Sequence, residues 1–228
     1  MFKLKLDFQR TNQRRNAYNP DRNLLSLPAN PKKVSKFLIV GLGNIGEEYV
    51  KTRHNVGFEV ADAFAKSLIK EDEPTVRLYT SDKLAMVNRS KFKGKQLVII
   101  KPSTYMNLSG KALNYWMQAE KVKIEDILVI SDDLALPFGT LRMKKKGSDG
   151  GHNGLNDIAN TLNSTEYARI RFGIGNEFSK GKQVDFVLGK WSESEEKTID
   201  ERIEKAVEMI KSFVSIGIDR TMSAYNNK

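Results

Sequence analysis

The sequence predicts an α/β fold: a single domain built on a twisted, mixed β-sheet with helices on both faces. Short apolar runs alternate with amphipathic segments along the chain, which is the pattern of strands followed by crossover helices. The 228 residues are 39% hydrophobic, enough for one buried core. The net charge of +10 is concentrated at the start, where residues 1–36 hold nine basic and two acidic residues. We therefore expect a basic, disordered extension at 1–35 and an α/β domain at 36–228.

The predicted elements follow from hydrophobic periodicity. Residues Lys36–Gly41 are a short apolar run closed by glycine, which predicts a buried strand. Residues 55–69 carry apolar side chains four apart, which predicts a helix with one buried stripe. The same reasoning predicts strands at Leu84–Asn88, Leu97–Lys101, Ile127–Ser131, Thr140–Lys144 and Ala168–Gly173, and helices at Ser109–Val122 and Asn153–Leu162.

The last part of the chain predicts one long helix. Ser192 and Glu195 have the spacing of a capping box, and apolar residues continue at helical intervals to Ile216. Before this helix, Val184–Leu188 is a further candidate strand. Leu136–Gly139 predicts a turn, because it combines proline and glycine.

Composition excludes several classes of site. The chain has no cysteine, so it has no disulfide, no thiolate metal site and no cysteine nucleophile. Its two histidines, His54 and His152, are too few for a histidine-rich zinc site. No Gly-Lys pair is followed by Ser or Thr, which excludes a Walker A loop, and no G-x-S-x-G nucleophile elbow is present. No apolar run approaches the ~20 residues that a membrane-spanning helix needs.

The segment Gly41–Gly46 matches the dinucleotide fingerprint G-x-G-x-x-G after a strand. A dinucleotide site needs a helix that begins within the glycines, whereas the helical stripe begins near Val56. Glu47 and Glu48 would also repel a pyrophosphate. We interpret the glycines as a tight turn that lets the backbone approach a substrate, with Asn44 at its tip.

A histidine and an aspartate are the strongest candidates for chemistry. His54 lies in a polar loop after the first strand, where open α/β sheets bind their ligands. A neutral imidazole there can deprotonate water if a carboxylate fixes its tautomer. Asp132 and Asp133 end the strand that starts at Ile127, where an acidic pair can orient a histidine, hold Mg²⁺ or cap a turn.

Two further loops carry polar residues suited to a substrate. In Lys101–Gly110, Asn107 offers an amide, Tyr105 and Met106 suit either the core or an apolar wall, and Ser109 is a candidate N-cap. In Lys144–Leu155, three lysines enter a glycine-rich loop that opens a helix, a place that attracts anions. Asn153 suits both an N-cap and a substrate contact.

These residues fit water-mediated hydrolysis of an activated acyl bond in a polyanionic substrate. A non-catalytic RNA-binding module would keep the basic loop but would not need His54. A dinucleotide-dependent oxidoreductase would need the fingerprint rejected above.

The blocks Val40–Gly46, Thr52–Gly57, Tyr105–Gly110, Asp132–Gly139 and Gly150–Leu155, in this order and spacing, resemble bacterial-type peptidyl-tRNA hydrolase over about residues 36–225. The resemblance implies a carboxylic-ester hydrolase that cleaves a peptide from the tRNA 3′ ribose and recycles the tRNA. It also implies a cytoplasmic, usually monomeric protein that needs no cofactor. From the residues themselves we expect no metal site and no association with membranes.

The resemblance also implies a role for each matching residue. His54 would be the general base and Asp132 would orient it, while Asn44 would sense a blocked amino group. The other implied substrate-binding residues are Tyr49, Tyr105, Met106, Asn107, His152 and Asn153, and the implied tRNA-binding basic rim is Lys144, Lys145, Lys146 and Arg171. One departure stands out: Ile45 replaces the proline usual in the glycine turn, which loosens the turn that holds Asn44.

Overall fold

A computed structural model describes residues 34–69 and 78–226 of the chain. Residues 1–33 of the expected N-terminal extension lie outside the described residues. The described strands are β1 (Lys36–Gly41), β2 (Thr80–Asp82), β3 (Ala85–Phe92), β4 (Lys95–Pro102), β5 (Ile127–Asp133), β6 (Leu141–Lys144) and β7 (Ala168–Gly173). The described helices are α1 (Val56–Lys66), α2 (Ser109–Ala119), α3 (Asn153–Leu162), α4 (Gln183–Val187), α5 (Glu193–Ile216) and α6 (Ile218–Tyr225).

The strands form one mixed sheet in the order β2-β3-β4-β1-β5-β7-β6. The four central strands β4, β1, β5 and β7 run parallel, and both edges are completed by antiparallel strands. The carboxyl ends of the parallel strands therefore meet at one edge of the sheet, where open α/β folds form their sites.

Both faces of the sheet are covered, as the sequence predicts. Successive residues of β1 alternate between two clusters, because side chains along a strand point to opposite faces. Phe37 and Ile39 face the cluster that includes residues of α1 and α5, and Leu38 and Val40 face the cluster that includes residues of α2 and α3. None of the helices described by the structure is long and apolar enough to cross a bilayer.

Close approach of α1 to the sheet fixes the first site loop. A Cβ on Gly41 would lie 2.2 Å from the Gly57 carbonyl oxygen, and a Cβ on Gly57 would lie 2.4 Å from the Leu42 carbonyl oxygen. Only glycine fits at this crossing, so the two glycines set the start of α1 against the end of β1. The helix begins at Val56 and not within the glycine motif, which confirms that the motif lacks the geometry of a dinucleotide site.

Most predicted elements are confirmed, and three predictions about local structure are wrong. Val184–Leu188 is not a strand, because its first four residues belong to the short helix α4. Ser109 is the first residue of α2 and not its N-cap, since its hydroxyl donates to the Met106 carbonyl at 2.7 Å. Of the two roles considered for Asn153, that of N-cap is wrong, because His152 caps α3. The short strand β2 and the terminal helix α6 were not predicted.

Candidate active site

Two histidines donate to one buried carboxylate oxygen. His54 Nδ1 lies 2.8 Å from Asp132 Oδ1, and His152 Nε2 lies 3.0 Å from the same oxygen. The Asp132 side chain is 4% exposed, while the two imidazoles are 12% and 8% exposed. Asp132 ends β5, His54 lies in the 3-10 turn before α1, and His152 caps α3. The edge of the sheet thus brings together residues far apart in the sequence.

The hydrogen bonds determine which nitrogen of each ring carries a proton. His152 Nδ1 accepts from the backbone N–H groups of Gly154 and Leu155 at 3.1 and 3.3 Å. Its Nε2 must therefore carry the proton that is donated to Asp132. When His54 is neutral and donates through Nδ1, its Nε2 keeps a lone pair, so His54 has the tautomer that a general base requires.

The contacts between Asp132 and the two imidazoles shift the pKa values of Asp132 and His54. Burial raises the pKa of Asp132, but the charge and hydrogen bonds of the two imidazoles outweigh burial and hold that pKa well below its usual range. Burial lowers the pKa of His54, yet the charge of Asp132 and its hydrogen bond leave that pKa above 6.5. Near neutral pH, Asp132 is thus an anion and His54 a relatively strong base.

The same three residues have the spacing of a metal site, but their hydrogen bonds favour another interpretation. His54 Nδ1, Asp132 Oδ1 and His152 Nε2 lie within 4.8 Å of one another. Both nitrogens are, however, at hydrogen-bond distance from Asp132 Oδ1, and His152 Nε2 carries a proton. A proton on a ring nitrogen leaves it no lone pair for a metal ion.

A cleft of about 100 Å³ opens beside this triad, here defined as His54, Asp132 and His152. Its wall brings together four segments: the 3-10 turn that carries His54, the end of β5, the glycine-rich loop before α3, and α4. The residues that line it are His54, Asp132, Asp133, Leu134, Asp149, Gly150, Gly151, His152, Asn153, Gln183, Val184 and Val187. The sequence predicts the first three segments but not the contribution of α4.

The backbone of Asn44 is held by Asn55, a residue that its sequence pattern does not single out. The Asn55 side chain accepts from the Asn44 backbone N–H at 2.8 Å and donates to the Asn44 carbonyl at 2.9 Å. Asn55 is buried and directly follows His54, so one turn fixes both the base and the Asn44 backbone. These two bonds come from the Asn55 side chain, so they hold the Asn44 backbone with Ile45 in place of the usual proline.

The remaining predicted substrate residues lie on two loops at the same edge of the sheet. Tyr49 ends the 3-10 turn Glu47–Tyr49 after β1 and is half-buried. Tyr105 is 75% exposed and Asn107 is also exposed, in the loop after β4. Met106 is buried below them, in the cluster that includes Leu155 at the start of α3, so it supports the site from within the core.

The basic rim is present, but its surroundings differ from the expectation. The first N–H groups of α3 bind His152, so they are not available to an anion. Lys144, Lys145 and Lys146 are exposed at the end of β6 and in the loop after it. Lys145 pairs with Asp219 at 3.4 Å, Lys146 pairs with Glu166 at 3.1 Å, and Arg171 pairs with Asp133.

Replacing His152 by alanine is expected to lower activity and stability together. The change removes one donor to Asp132 and the N-cap of α3, which costs about 1 kcal/mol in unfolding free energy. Misplacement of the Asp132–His54 pair is expected to lower the rate of a reaction that uses His54 as base by up to about 100-fold. Ile158→Val removes a methyl group from the buried face of α3 and provides the control. Equal rate losses in the two variants, measured as initial rates on the substrate class that the resemblance implies, would contradict a role of His152 in the triad.

Comparison with known proteins identifies the family. The family model described as peptidyl-tRNA hydrolase matches residues 38–228. The chain is 54% identical to the peptidyl-tRNA hydrolase of Phocaeicola vulgatus over 193 residues, which are 85% of this chain and 100% of that protein. It is 54% identical to that of Porphyromonas gingivalis over 191 residues, 84% of this chain and all of that protein.

A solved structure agrees with the sequence comparison. The crystal structure of peptidyl-tRNA hydrolase from Acinetobacter baumannii superimposes with a TM-score of 0.75 at 33% identity, covering 85% of this chain and 95% of that one. The fold, the full-length relatives and the matched family model agree, and the chain therefore belongs to the peptidyl-tRNA hydrolase family.

Proposed function

We propose that this protein is a carboxylic-ester hydrolase that cleaves the ester between a peptide and the 3′ ribose of tRNA. Membership of the family supports the reaction and the substrate. The observation that carries the chemistry is the pair of histidines on Asp132, which leaves His54 Nε2 as an acceptor beside an open cleft. The reaction releases the peptide and returns the tRNA for reuse.

In the proposed mechanism, His54 is the base and Asp132 orients it. His54 Nε2 takes a proton from a water molecule as the water oxygen attacks the ester carbonyl. The imidazolium that forms is stabilised by the Asp132 carboxylate at 2.8 Å. The ester C–O bond then breaks, and His54 returns the proton to the ribose oxygen. The products are a tRNA with a free ribose hydroxyl and a peptide carboxylic acid, which loses its proton to solvent to give the carboxylate.

The flanking residues have proposed roles in holding the substrate. Asn44 would contact the blocked amino group and so favour peptidyl- over aminoacyl-tRNA. Asn153 lines the cleft itself, where its amide would contact the scissile region. The remaining proposed contacts with the peptide and the 3′ end come from Tyr49, Tyr105, Asn107 and His152, with Met106 buried beneath them.

We further propose that the enzyme acts as a monomer in the cytoplasm. The triad and the cleft are built from side chains of a single chain, so no second copy is required to complete them. We assign catalysis to residues 36–228 and propose that residues 1–35 are an appended basic extension, based on their composition.

Release of a labelled acyl group tests the proposed reaction. N-acetyl-aminoacyl-tRNA and the matching unblocked aminoacyl-tRNA are incubated separately with the wild-type protein. We expect cleavage of the blocked substrate and little cleavage of the unblocked one. A well-folded protein that cleaves neither substrate would contradict the proposal and favour a function in RNA binding alone.

Salt dependence tests the proposed basic rim. Phosphate contacts release counterions, so kcat/KM is expected to fall as salt rises. Replacing Lys144 by alanine should reduce the slope of log kcat/KM against log salt by about 1. Lys66→Ala, at the end of α1, is the control because that helix carries Lys66 away from the carboxyl ends of the strands. Equal slopes in wild type and Lys144→Ala would argue against a tRNA contact at this lysine.

A further inference from the structure

Arg53, the residue before the general base, reaches into a separate part of the chain. Its Nη1 donates to the Lys190 carbonyl at 2.7 Å, and its Nη2 contacts Glu195 Oε2 at 2.7 Å. Its guanidinium lies 4.4 Å from the centre of the Phe186 ring, and its side chain is 11% exposed. A side chain that donates from two nitrogens to two separate acceptors and stacks on an aromatic ring suits arginine and not lysine.

The backbone strengthens the same connection. The Arg53 backbone N–H donates to the Gly189 carbonyl at 3.0 Å, and Thr52 forms an antiparallel bridge with Lys190. Trp191 adds a second aromatic ring, 5.5 Å from the guanidinium. The turn that carries His54 and the segment 186–195 are therefore joined through both backbone and side chain.

That segment continues directly from one wall of the catalytic cleft. Gln183, Val184 and Val187 of α4 line the cleft, while Phe186 of the same helix stacks on Arg53. A helix of five residues has little stability of its own, so its position depends on what it packs against. Glu195 is also the capping-box residue of α5, and its Oε2 accepts the Ser192 N–H at 2.7 Å.

We propose that Arg53 is a positioning residue that fixes the α4 wall of the cleft and the His54 turn relative to each other. The inference rests on the proposed function, since the cleft it shapes is the proposed ester site. The Arg53 side chain does not line the cleft, and it acts through its two neighbours: His54 in sequence and Phe186 in space. The Arg53 guanidinium thus connects α4, which forms one wall of the cleft, with the turn that carries His54.

The geometry predicts a graded effect of substitution. Arg53→Ala removes the stack and the hydrogen bonds, and we expect kcat/KM to fall by about tenfold or more, with a raised KM. Arg53→Lys keeps the charge toward Glu195 but loses the fork and most of the stacking, so its activity should be intermediate. Phe186→Leu combined with Arg53→Ala should lose little beyond Arg53→Ala, because both changes break the same contact.

Two measurements separate positioning from general stability. Hydrogen exchange in the full chain should show faster exchange of amides 183–190 in Arg53→Ala, by about tenfold or more, with the core strands unchanged. The pH midpoint of kcat/KM should also move downward, because a displaced His54 loses part of the influence of Asp132. Ile210→Val in the buried face of α5 lowers stability without touching this connection and is the control.

Several results would overturn the inference. One is a folded Arg53→Ala enzyme with kcat/KM within twofold of wild type. Another is an unchanged rate of amide hydrogen exchange at 183–190. A third is that Ile210→Val, compared at the same fall in Tm, loses as much activity as Arg53→Ala. Hydrolysis of N-acetyl-aminoacyl-tRNA by the wild type tests the proposed function separately. Hydrogen exchange needs no turnover, so it tests Arg53 even if that reaction is absent.

Discussion

Replacing His54 by alanine is expected to lower the single-turnover rate of peptidyl-tRNA hydrolysis by about 10²–10⁴-fold or more. The substitution removes the Nε2 lone pair beside the cleft and leaves Asp132 with His152 as its remaining imidazole donor. His152 cannot replace the base, because its Nδ1 is engaged by two backbone N–H groups and its Nε2 carries a proton.

Binding of the substrate should survive this change, since the basic rim and the asparagines are untouched. We expect His54→Ala to bind tRNA with an affinity close to that of wild type, as measured by filter binding at constant salt. An enzyme that keeps near-full turnover without His54 would rule out this residue as the base. Loss of tRNA affinity in step with turnover would indicate instead that the substitution disturbs the fold.

Replacing Asp132 by asparagine is expected to cause the second large loss, about 10²–10⁴-fold in kcat. The asparagine has a similar shape, but it brings no negative charge to stabilise the imidazolium of His54. Burial, which lowers the pKa of His54, would then act without the opposing effect of the Asp132 charge. We therefore expect both a slower enzyme and a lower pH midpoint of kcat/KM.

The same substitution has a defined effect on stability at low pH. The folded-state pKa of Asp132 lies below its ordinary value of 3.8, so its ionised form stabilises the fold above about pH 4. That stabilisation is lost as the pH falls toward the folded-state pKa. Thermal unfolding of Asp132→Asn should therefore depend less on pH between about 4 and 2 than that of wild type. In the activity measurement, an Asp132→Asn enzyme with the kcat and the pH midpoint of wild type would contradict the proposed role of Asp132.

Local sequence patterns were sufficient for most of the fold. The apolar runs of β1 and β7 and the capping box of α5 have the predicted bounds, because each depends on residues close in sequence. The segment 184–188 reads as a strand from sequence, because Val184, Phe186 and Leu188 alternate. Its helical form is stabilised by the stack of Phe186 on Arg53, a contact between residues 133 positions apart that periodicity does not reveal.

The site was predictable where a residue type alone suggests its chemistry. His54 and Asp132 could be proposed from a polar histidine loop and an acidic strand end, and the structure brings them within 2.8 Å. The roles of Asn55 and Arg53 could not be proposed, because they act through backbone groups and distant side chains. Asn153 is a candidate N-cap of α3 from the sequence because asparagine is a common cap, whereas the histidine that accepts those bonds is not.

The pH dependence of kcat/KM on N-acetyl-aminoacyl-tRNA, measured for wild type and His54→Ala, tests the central claim most directly. The claim is that neutral His54, held by Asp132, activates the attacking water. Because the pKa of His54 lies above 6.5, activity should rise with pH and reach half its maximum above 6.5. The residual activity of His54→Ala should not show this rise with pH. A wild-type kcat/KM that does not change between pH 5 and 8, or the same rise with pH in His54→Ala, would contradict the role of His54 as the base.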